Sequence, residues 1–482
     1  MALVAYVYCI PRGVLANPDT RIALTSAIVD HHALRIDPYA GSLMDRALYH
    51  GHYYTDKAPG MSLLAVPAYA ALHLVLPSAT LNTKHTLPAY FFTRYLLTSL
   101  VLGIPAAVFV GLLWRFLLPM LGRRRGAVLA LGYGLGTVAW AYSGVLFSHI
   151  MSAMSLFGAF MLLYPVSTGR APFATRRWAA AGGLCGLAAL CEYPAALVGL
   201  LLALFAAYTA YTARDAGPRR LPALGAFVGA GLLALLPLAL YNTAVYGSPL
   251  VIGYVHEAGE ARFLAGMSRG FEGVGAPDPV ALWGITFSPY RGLFALSPFL
   301  LLALPGAAAM WRRRRQRPAA VLCVLVVVAM LLFNGGYYFW DGGATIGPRF
   351  AAAVVPFLVF LAAFAPRRAP WARVTPVLIA LSIALVALCC LTSITGFSSG
   401  QPNPFAAFVL PRLLHGSIPD NWGGRLGLPG TASLLPLAAI EAALSWGLWR
   451  SLCPKRRTMT RGLSGVPGDL DQSLDRDRVG LA

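Results

Sequence analysis

The chain has 482 residues, of which 58% are hydrophobic and only 12% are charged, and its mean hydropathy is +0.65. Soluble globular proteins carry roughly 25% charged residues, so this composition excludes a soluble domain and indicates a membrane protein. The net charge of +20 does not indicate a nucleic-acid partner, because the arginines occur in short blocks between apolar runs, the pattern that reports membrane orientation.

Apolar segments recur along almost the whole chain. Such segments must be helices, because lipid cannot satisfy a free backbone. We therefore predict an all-α polytopic membrane protein of about 12 transmembrane helices, with 178–211 as two helices or as one helix kinked at Pro194. The predicted spans are 1–16, 88–118, 127–143, 145–165, 178–190, 193–211, 221–244, 291–310, 318–338, 349–365, 372–396 and 431–450.

The segment 61–77 decides the topology. It is apolar but short, and it contains Pro67 and ends in Pro77. With the arginine blocks and both termini in the cytoplasm, residues 17–60 lie outside only if this segment does not cross, so we predict an interfacial or re-entrant helix. A transmembrane domain over 1–450 then has external loops at 17–87, 245–290 and 397–430, followed by a disordered cytoplasmic tail at 451–482.

The first external loop concentrates charge in a chain that has little of it. Five of the 18 acidic residues lie within 17–60, and no other acid follows until Glu192. Asp19, next to Pro18, is placed to cap a helix over 20–33, or to act as a base at the membrane surface. Aspartates 37 and 45 are interpreted as a turn residue and a surface residue.

The decapeptide GHYYTDKAPG at 51–60 is the most specific stretch of this loop. Its rings could belong to an interfacial aromatic belt, or they could form a sugar pocket in which Lys57 meets a phosphate. Only three of the 38 basic residues are lysine, so a lysine here indicates that a compact point charge is required. The candidate binding residues of this stretch are His52, Tyr53, Tyr54, Asp56 and Lys57.

Later polar residues are predicted to face the same side of the membrane. His149 and Glu192 lie at the ends of apolar helices, where ionisable groups line cavities or pair with one another. Arg291 at the end of a span could snorkel to the interface. The stretch WDGGATIGPRF at 340–350 offers backbone amides and a guanidinium that could hold a phosphate, through Trp340, Asp341 and Arg349.

The residues around Asp19 and the stretch GHYYTDKAPGMSLLAVP resemble the lipid-linked-sugar glycosyltransferases of the GT-C fold. The similarity is greatest to glycosyltransferase family 39, the branch of protein O-mannosyltransferases and lipid A aminoarabinose transferases. In that family an acidic residue follows the first transmembrane helix and a Lys-x-Pro motif closes the first external loop. Asp19 matches the acid, and Lys57 with Pro59 matches the motif.

Two further points qualify this resemblance. The segment 347–360 looks like a later helix start of the family, which makes Arg349 a candidate phosphate contact. Thr20 follows Asp19 where many relatives carry a second acid, so whether a divalent cation takes part is left open and no metal ligands are assigned. No other cofactor is expected.

The resemblance implies an inverting glycosyltransferase in the cytoplasmic membrane, with its active site on the outer face. Its partners would be a polyprenyl-phosphate-linked sugar, a cell-envelope acceptor and membrane lipids, without nucleic acid. Asp19 would be the general base, and cations would stabilise the phosphate leaving group. The implied phosphate contacts are Lys57, Arg349 and Arg291, and the implied sugar contacts are Arg21, Tyr53, Tyr54 and Asp56.

Three alternatives stay open on the sequence alone. An O-antigen-ligase-like transferase would carry its main external loop in the C-terminal half, whereas here the richest loop is the first. A transporter or lipid flippase would show repeated halves and charges near the bilayer midplane; we find no internal repeat. A scaffold without catalysis is the third alternative.

Overall fold

A computed structural model describes residues 1–11, 15–76, 88–259, 261–393, 400 and 402–452. The predicted disordered tail therefore lies outside the described residues from residue 453 onward, as do parts of the first and third predicted external loops. Helices dominate the described part of the chain, and its one two-stranded sheet is a short hairpin in the first loop.

The N-terminal part consists of short elements. The predicted span over 1–16 is wrong in its extent, because α1 ends at Tyr8 and a second helix begins only at Ala16. Pro11 disfavours helical backbone in the residue before it, and Cys9 is extended and bridges to Asn421. The elements here are α1 (Ala2–Tyr8), α2 (Ala16–His31), β1 (Ala47–Tyr49), β2 (His52–Tyr54) and α3 (Gly60–Val75).

The remaining helices form the bundle. They are α4 (Pro88–Thr98), α5 (Ile104–Leu121), α6 (Arg123–Leu135), α7 (Val138–Ser143), α8 (His149–Ser167), α9 (Thr175–Cys191), α10 (Ala195–Thr212), α11 (Arg220–Tyr246), α12 (Ala261–Met267), α13 (Pro279–Thr286), α14 (Leu293–Leu296), α15 (Ala303–Trp311), α16 (Arg317–Gly336), α17 (Val355–Ala362), α18 (Trp371–Thr392), α19 (Leu410–Leu414), α20 (Trp422–Arg425) and α21 (Leu435–Leu452).

Seven helices within the described residues are long and apolar enough to cross a membrane, which confirms an all-α polytopic membrane protein. The predicted number of about 12 is not confirmed. Two predicted spans are interrupted, 127–143 at Gly136 and 291–310 at Pro298. The seven are Tyr90–Leu121, His149–Ser167, Ala195–Thr212, Gly217–Tyr246, Arg317–Gly336, Trp371–Thr392 and Gly430–Leu452.

Glycines set how closely some of these helices pack. A Cβ atom on Gly182 of α9 would lie 1.9 Å from the Phe227 carbonyl oxygen of α11. A Cβ atom on Gly186 would lie 2.3 Å from the Gly231 carbonyl oxygen, one turn further along α11. Side chains at these positions would force the two helices apart, so the sequence GGLCG allows the α9–α11 contact.

Helices α2 and α3 run parallel to each other, since the Thr25 hydroxyl donates to the Ser62 carbonyl near the start of α3, and the hairpin lies in the chain that joins them. Asp30 near the end of α2 accepts a hydrogen bond from the Tyr69 hydroxyl at 3.0 Å and lies 3.0 Å from Nε2 of His73. At the other end, a Cβ atom on Gly60 would lie 2.5 Å from the Leu190 carbonyl oxygen of α9. Helix α3 is too short to count among the seven candidate spans, and its predicted interfacial position stays a prediction.

Candidate active site

A cavity of about 530 Å³ opens where the first loop meets the bundle. Its walls come from the start of α2, the turn before α3, the start of α8, the break between α9 and α10, the chain between α11 and α13, and the chain that joins α16 to α17. Five residues proposed from the sequence line it, and they come from five separate parts of the chain: Arg21, Lys57, His149, Glu192 and Arg349.

Arg21 joins three of these walls. It is 3% exposed, and its Nε donates to the side-chain oxygen of Asn17 at 2.9 Å. Its Nη1 donates to the Ala58 carbonyl at 3.0 Å and its Nη2 to the Ser148 hydroxyl at 3.2 Å. The guanidinium is therefore held rigidly at the cavity wall, and it links α2 to the loop that carries Lys57.

Lys57 lies within a buried group of carboxylates. Its Nζ is 3.0 Å from Oδ2 of Asp45 and forms a very short contact with Oδ2 of Asp56. The ammonium also lies 5.1 Å from the ring centre of Tyr254. Burial lowers the pKa of Lys57, but Asp45 and Asp56 oppose it and hold the pKa well above its ordinary value. Lys57 is therefore charged at neutral pH, and Asp45 is a partner of Lys57 rather than the surface residue we expected.

Glu257 completes this cluster. Burial, and after it the neighbouring Asp56 carboxylate, raises the pKa of Glu257 to about 9. Burial also raises the pKa of Asp56, against the effect of the Lys57 ammonium. Oδ1 of Asp56 is buried without a donor among the described residues, and a protonated Glu257 would supply one. The Asp56–Glu257 pair therefore holds one proton at neutral pH.

His149 and Glu192 form a pair in the cavity wall, one of the arrangements predicted for them from the sequence. Nδ1 of His149 lies 2.7 Å from Oε1 of Glu192. The imidazole stacks on Phe147, with ring centres 5.6 Å apart, and meets the edge of Phe350. Glu192 occupies the extended break between α9 and α10 that Pro194 permits, which turns its carboxylate toward the cavity instead of lipid.

Arg349 contributes a cation surrounded by aromatic rings. Its guanidinium carbon lies 4.7 Å from the ring centre of Phe350, 5.1 Å from Phe147 and 6.0 Å from Phe339. Its Nε is buried and has no acceptor among the described residues. Rings contact the cation without neutralising its charge, so this guanidinium is available to an anion in the cavity.

Three other predicted residues support the wall next to Arg349 without lining the cavity. Arg291 is 1% exposed and donates to the carbonyls of Thr345 and Gly343, at 2.8 and 2.7 Å. Asp341 accepts from the Gly343 amide at 3.1 Å and from the Tyr290 hydroxyl at 2.7 Å. Trp340 packs edge-on against Tyr290, with the ring centres 6.0 Å apart.

His52, Tyr53 and Tyr54 also lie away from the cavity wall, on strand β2. His52 Nδ1 is 2.9 Å from a carboxylate oxygen of Asp37, and the Tyr53 amide donates to the other oxygen at 2.7 Å. The guanidinium of Arg46 covers the Tyr53 ring at 4.9 Å. These contacts stabilise the hairpin, and the predicted sugar-stacking role of these rings stays a prediction.

Asp19 is buried in the first turn of α2 and does not line the cavity. Helix α2 begins at Ala16 instead of residue 20, and Oδ2 of Asp19 accepts from the Leu15 amide at 2.7 Å. Its Oδ1 accepts from the Tyr90 hydroxyl and, at 2.9 Å, from Nη1 of Arg94. The carboxylate thus links α2 to α4, and its predicted role as a base stays a prediction.

Two groups of cavity residues were not predicted from the sequence. Tyr254 and Glu257 come from the predicted second external loop, where no motif marks them; only their place on the same predicted side could have indicated them. The rings of Tyr337, Tyr338 and Phe339 also line the cavity; the first two are the last residues of the predicted span 318–338, and Phe339 follows it directly. Within the described residues, no group of three or more His, Cys, Asp or Glu side chains could hold a metal ion.

Comparisons with known proteins give similarity of structure alone. No protein-family model and no curated protein sequence matches the chain. ArnT from Cupriavidus metallidurans, solved bound to undecaprenyl phosphate, matches with a TM-score of 0.52 at 17% identity over 94% of this chain and 72% of its own. AglB, the oligosaccharyltransferase of Archaeoglobus fulgidus solved with dolichol-phosphate, matches with a TM-score of 0.46 at 14% identity over 83% of this chain and 55% of its own. The similarity to ArnT confirms the fold predicted from the first-loop motifs: the chain has a GT-C membrane fold.

Proposed function

We propose that the protein is a membrane glycosyltransferase that moves a sugar from a polyprenyl-phosphate donor to a cell-envelope acceptor. The observation that carries the proposal is the cavity, where the cations Arg21, Lys57 and Arg349 surround a space of about 530 Å³ with aromatic and carboxylate walls. A cavity of this size suits a small ligand. The fold supports a polyprenyl-phosphate donor, since a protein of similar fold was solved with undecaprenyl phosphate bound.

The proposed chemistry is a displacement at the anomeric carbon. The acceptor oxygen forms a new bond to that carbon from one face, while the bond to the phosphate oxygen breaks on the other, so the configuration inverts. Polyprenyl phosphate leaves with the bonding electrons. Arg349 and Arg21 are fixed before the reaction, and preorganised cations stabilise developing charge most effectively in a site with little water.

The acceptor proton needs a base, and we assign this role to Glu192. Its carboxylate lines the cavity, and His149 fixes its orientation at 2.7 Å. Asp19, the base implied by the family resemblance, accepts hydrogen bonds from three protein groups away from the cavity wall. We therefore assign Asp19 a positioning role, in which it holds α2 and with it Arg21.

The outer face of the membrane is the proposed location of the site. The arginine-rich turn 312–315 precedes α16, and the cavity residues at 337–339 follow it. The site and this arginine block thus lie at opposite ends of one apolar helix, and arginine blocks favour the cytoplasmic side. A polyprenyl chain would lie between helices, with its phosphate at the cavity.

The test is a transfer assay on the purified full-length chain with radiolabelled polyprenyl-phosphate sugars. Glu192→Gln should lower turnover about 100-fold or more, the usual range for loss of a general base. Asp19→Asn should lower the melting temperature but leave transfer measurable. Asp278→Asn is the control, because Asp278 caps α13 away from the cavity and asparagine caps about equally well.

Two outcomes would contradict the proposal. Full transfer by Glu192→Gln, together with none by a stably folded Asp19→Asn, would return the role of base to Asp19. If none of the polyprenyl-phosphate sugars is a donor, and vesicles that contain the protein take up solute, the transporter alternative is favoured.

A further inference from the structure

A second recess, of about 540 Å³, lies at the other end of the bundle. It is bounded by the turn after α8, the end of α5, the α15–α16 turn and the chain after α17. We call it the arginine recess, because four arginines line it together with an apolar wall that includes Pro119, Met120 and Phe364. The four are Arg170, Arg313, Arg367 and Arg368.

The arginine recess is remote from the candidate active site. Helix α8 starts at His149 in the first cavity and runs for 19 residues toward Arg170. At 1.5 Å per residue this separates the two sites by about 28 Å, close to the thickness of the hydrocarbon core of a bilayer. Helix α16 likewise starts beside Arg313 and ends beside Tyr337. The arginine recess therefore lies at the level of the opposite membrane surface.

Within the described residues, no carboxylate forms an ion pair with an arginine of the arginine recess, whereas Arg35, Arg94 and Arg425 do pair with carboxylates. Of the four recess arginines, Arg367 donates to the Met120 carbonyl, which fixes it against the end of α5. Four guanidinium groups around one recess make a strong site for an anion with several oxygen acceptors.

The arginine recess is also rigid. A Cβ atom on Gly306 of α15 would lie 1.9 Å from the Leu361 carbonyl oxygen of α17. Arg313 lies two residues beyond the end of α15 and Arg367 five residues beyond the end of α17, so this close contact brings together the two turns that carry them. A site that is organised before its ligand arrives loses less entropy on binding.

We propose that the arginine recess binds the phosphate headgroup of an anionic phospholipid. Basic pockets between transmembrane helices on the cytoplasmic side bind such headgroups. A free phosphate would use the guanidinium groups alone, whereas a lipid would also cover Pro119, Met120 and Phe364 with its glycerol and upper acyl carbons. This inference does not rest on the proposed glycosyl transfer, because none of the residues of the first cavity takes part.

The test measures lipid retention by the delipidated full-length chain in detergent, using native mass spectrometry and thermal unfolding. Phosphatidylglycerol is the probe, phosphatidylcholine the neutral lipid, and inorganic phosphate the free anion. We expect phosphatidylglycerol alone to be retained and to raise the melting temperature. Arg170→Gln combined with Arg313→Gln should weaken its binding by about tenfold or more, since juxtamembrane arginines contribute independently.

Arg312→Gln combined with Arg314→Gln is the matched control. It removes the same amount of charge from the turn that also carries Arg313, but these residues do not line the recess, so binding should stay at the wild-type level. Equal losses in the two double variants would overturn the proposal in favour of general surface attraction. Equal stabilisation by inorganic phosphate would overturn it in favour of a free-anion site. Wild-type retention by the Arg170 and Arg313 variant would overturn it outright.

Discussion

Substitution of Glu257 by glutamine should remove a large pH dependence of stability that the Asp56–Glu257 pair creates. In the folded chain the pKa of Glu257 is about 9, against an ordinary value of 4.5, because of burial and the nearby Asp56 carboxylate. Glutamine has the same shape and can donate to the orphaned Oδ1 of Asp56, but it does not titrate. The variant should therefore fold and keep the cluster around Lys57 intact.

The sign and size of the effect follow from proton linkage. Between the two pKa values the folded state holds a proton that the unfolded state has lost, so stability falls as pH rises and levels off above the folded pKa. One proton corresponds to a slope of at most about 1.4 kcal/mol per pH unit. From about pH 6 to about pH 8 the wild type should lose up to about 2.7 kcal/mol more than Glu257→Gln.

The measurement is reversible unfolding in mixed micelles at several pH values, with the wild type and the variant compared at each. All other titratable groups are the same in both proteins, so the difference between the two curves isolates Glu257. Glu272→Gln is the control, because it removes another carboxylate from the same cavity wall and should leave the slope unchanged. Parallel curves for the wild type and Glu257→Gln would refute the shared proton.

Three further changes test other parts of the site. Arg349→Gln should lower turnover about 100-fold, measured by steady-state kinetics with a saturating donor. Arg349→Lys should lower turnover as well, because an ammonium lacks the planar stacking of a guanidinium on aromatic rings. Gly60→Ala should destabilise the fold by about 1–3 kcal/mol in a thermal melt, since its Cβ would lie 2.5 Å from the Leu190 carbonyl oxygen. Gly41→Ala is the control and should be neutral, because its Cβ would meet nothing within 4 Å. Lys57→Met leaves two acidic partners without their counter-ion and should cost about 3–5 kcal/mol; a melting temperature within a degree of the wild type would contradict the cluster.

Composition and local pattern determined the membrane class, the helical architecture and several residues of the candidate site. Apolar runs can only be helices in lipid, and the scarcity of charge drew attention to Arg21, Lys57, His149, Glu192 and Arg349. All five line one cavity in the structure. The first-loop motifs also indicated the GT-C fold that the similarity to ArnT confirms.

Tertiary structure alone decided which polar residues share a wall and which partner each one has. Asp45 was expected at the surface but pairs with Lys57, and Glu257 joins that cluster from a loop some 200 residues away along the chain. Asp19 belongs to the stretch that resembles glycosyltransferase family 39, yet Arg94 and Tyr90 of a different helix surround its carboxylate. Periodicity and hydropathy describe neighbours within one helix, whereas ion pairs between loops depend on how helices pack, and packing is fixed by close contacts such as those of Gly60 and Gly182.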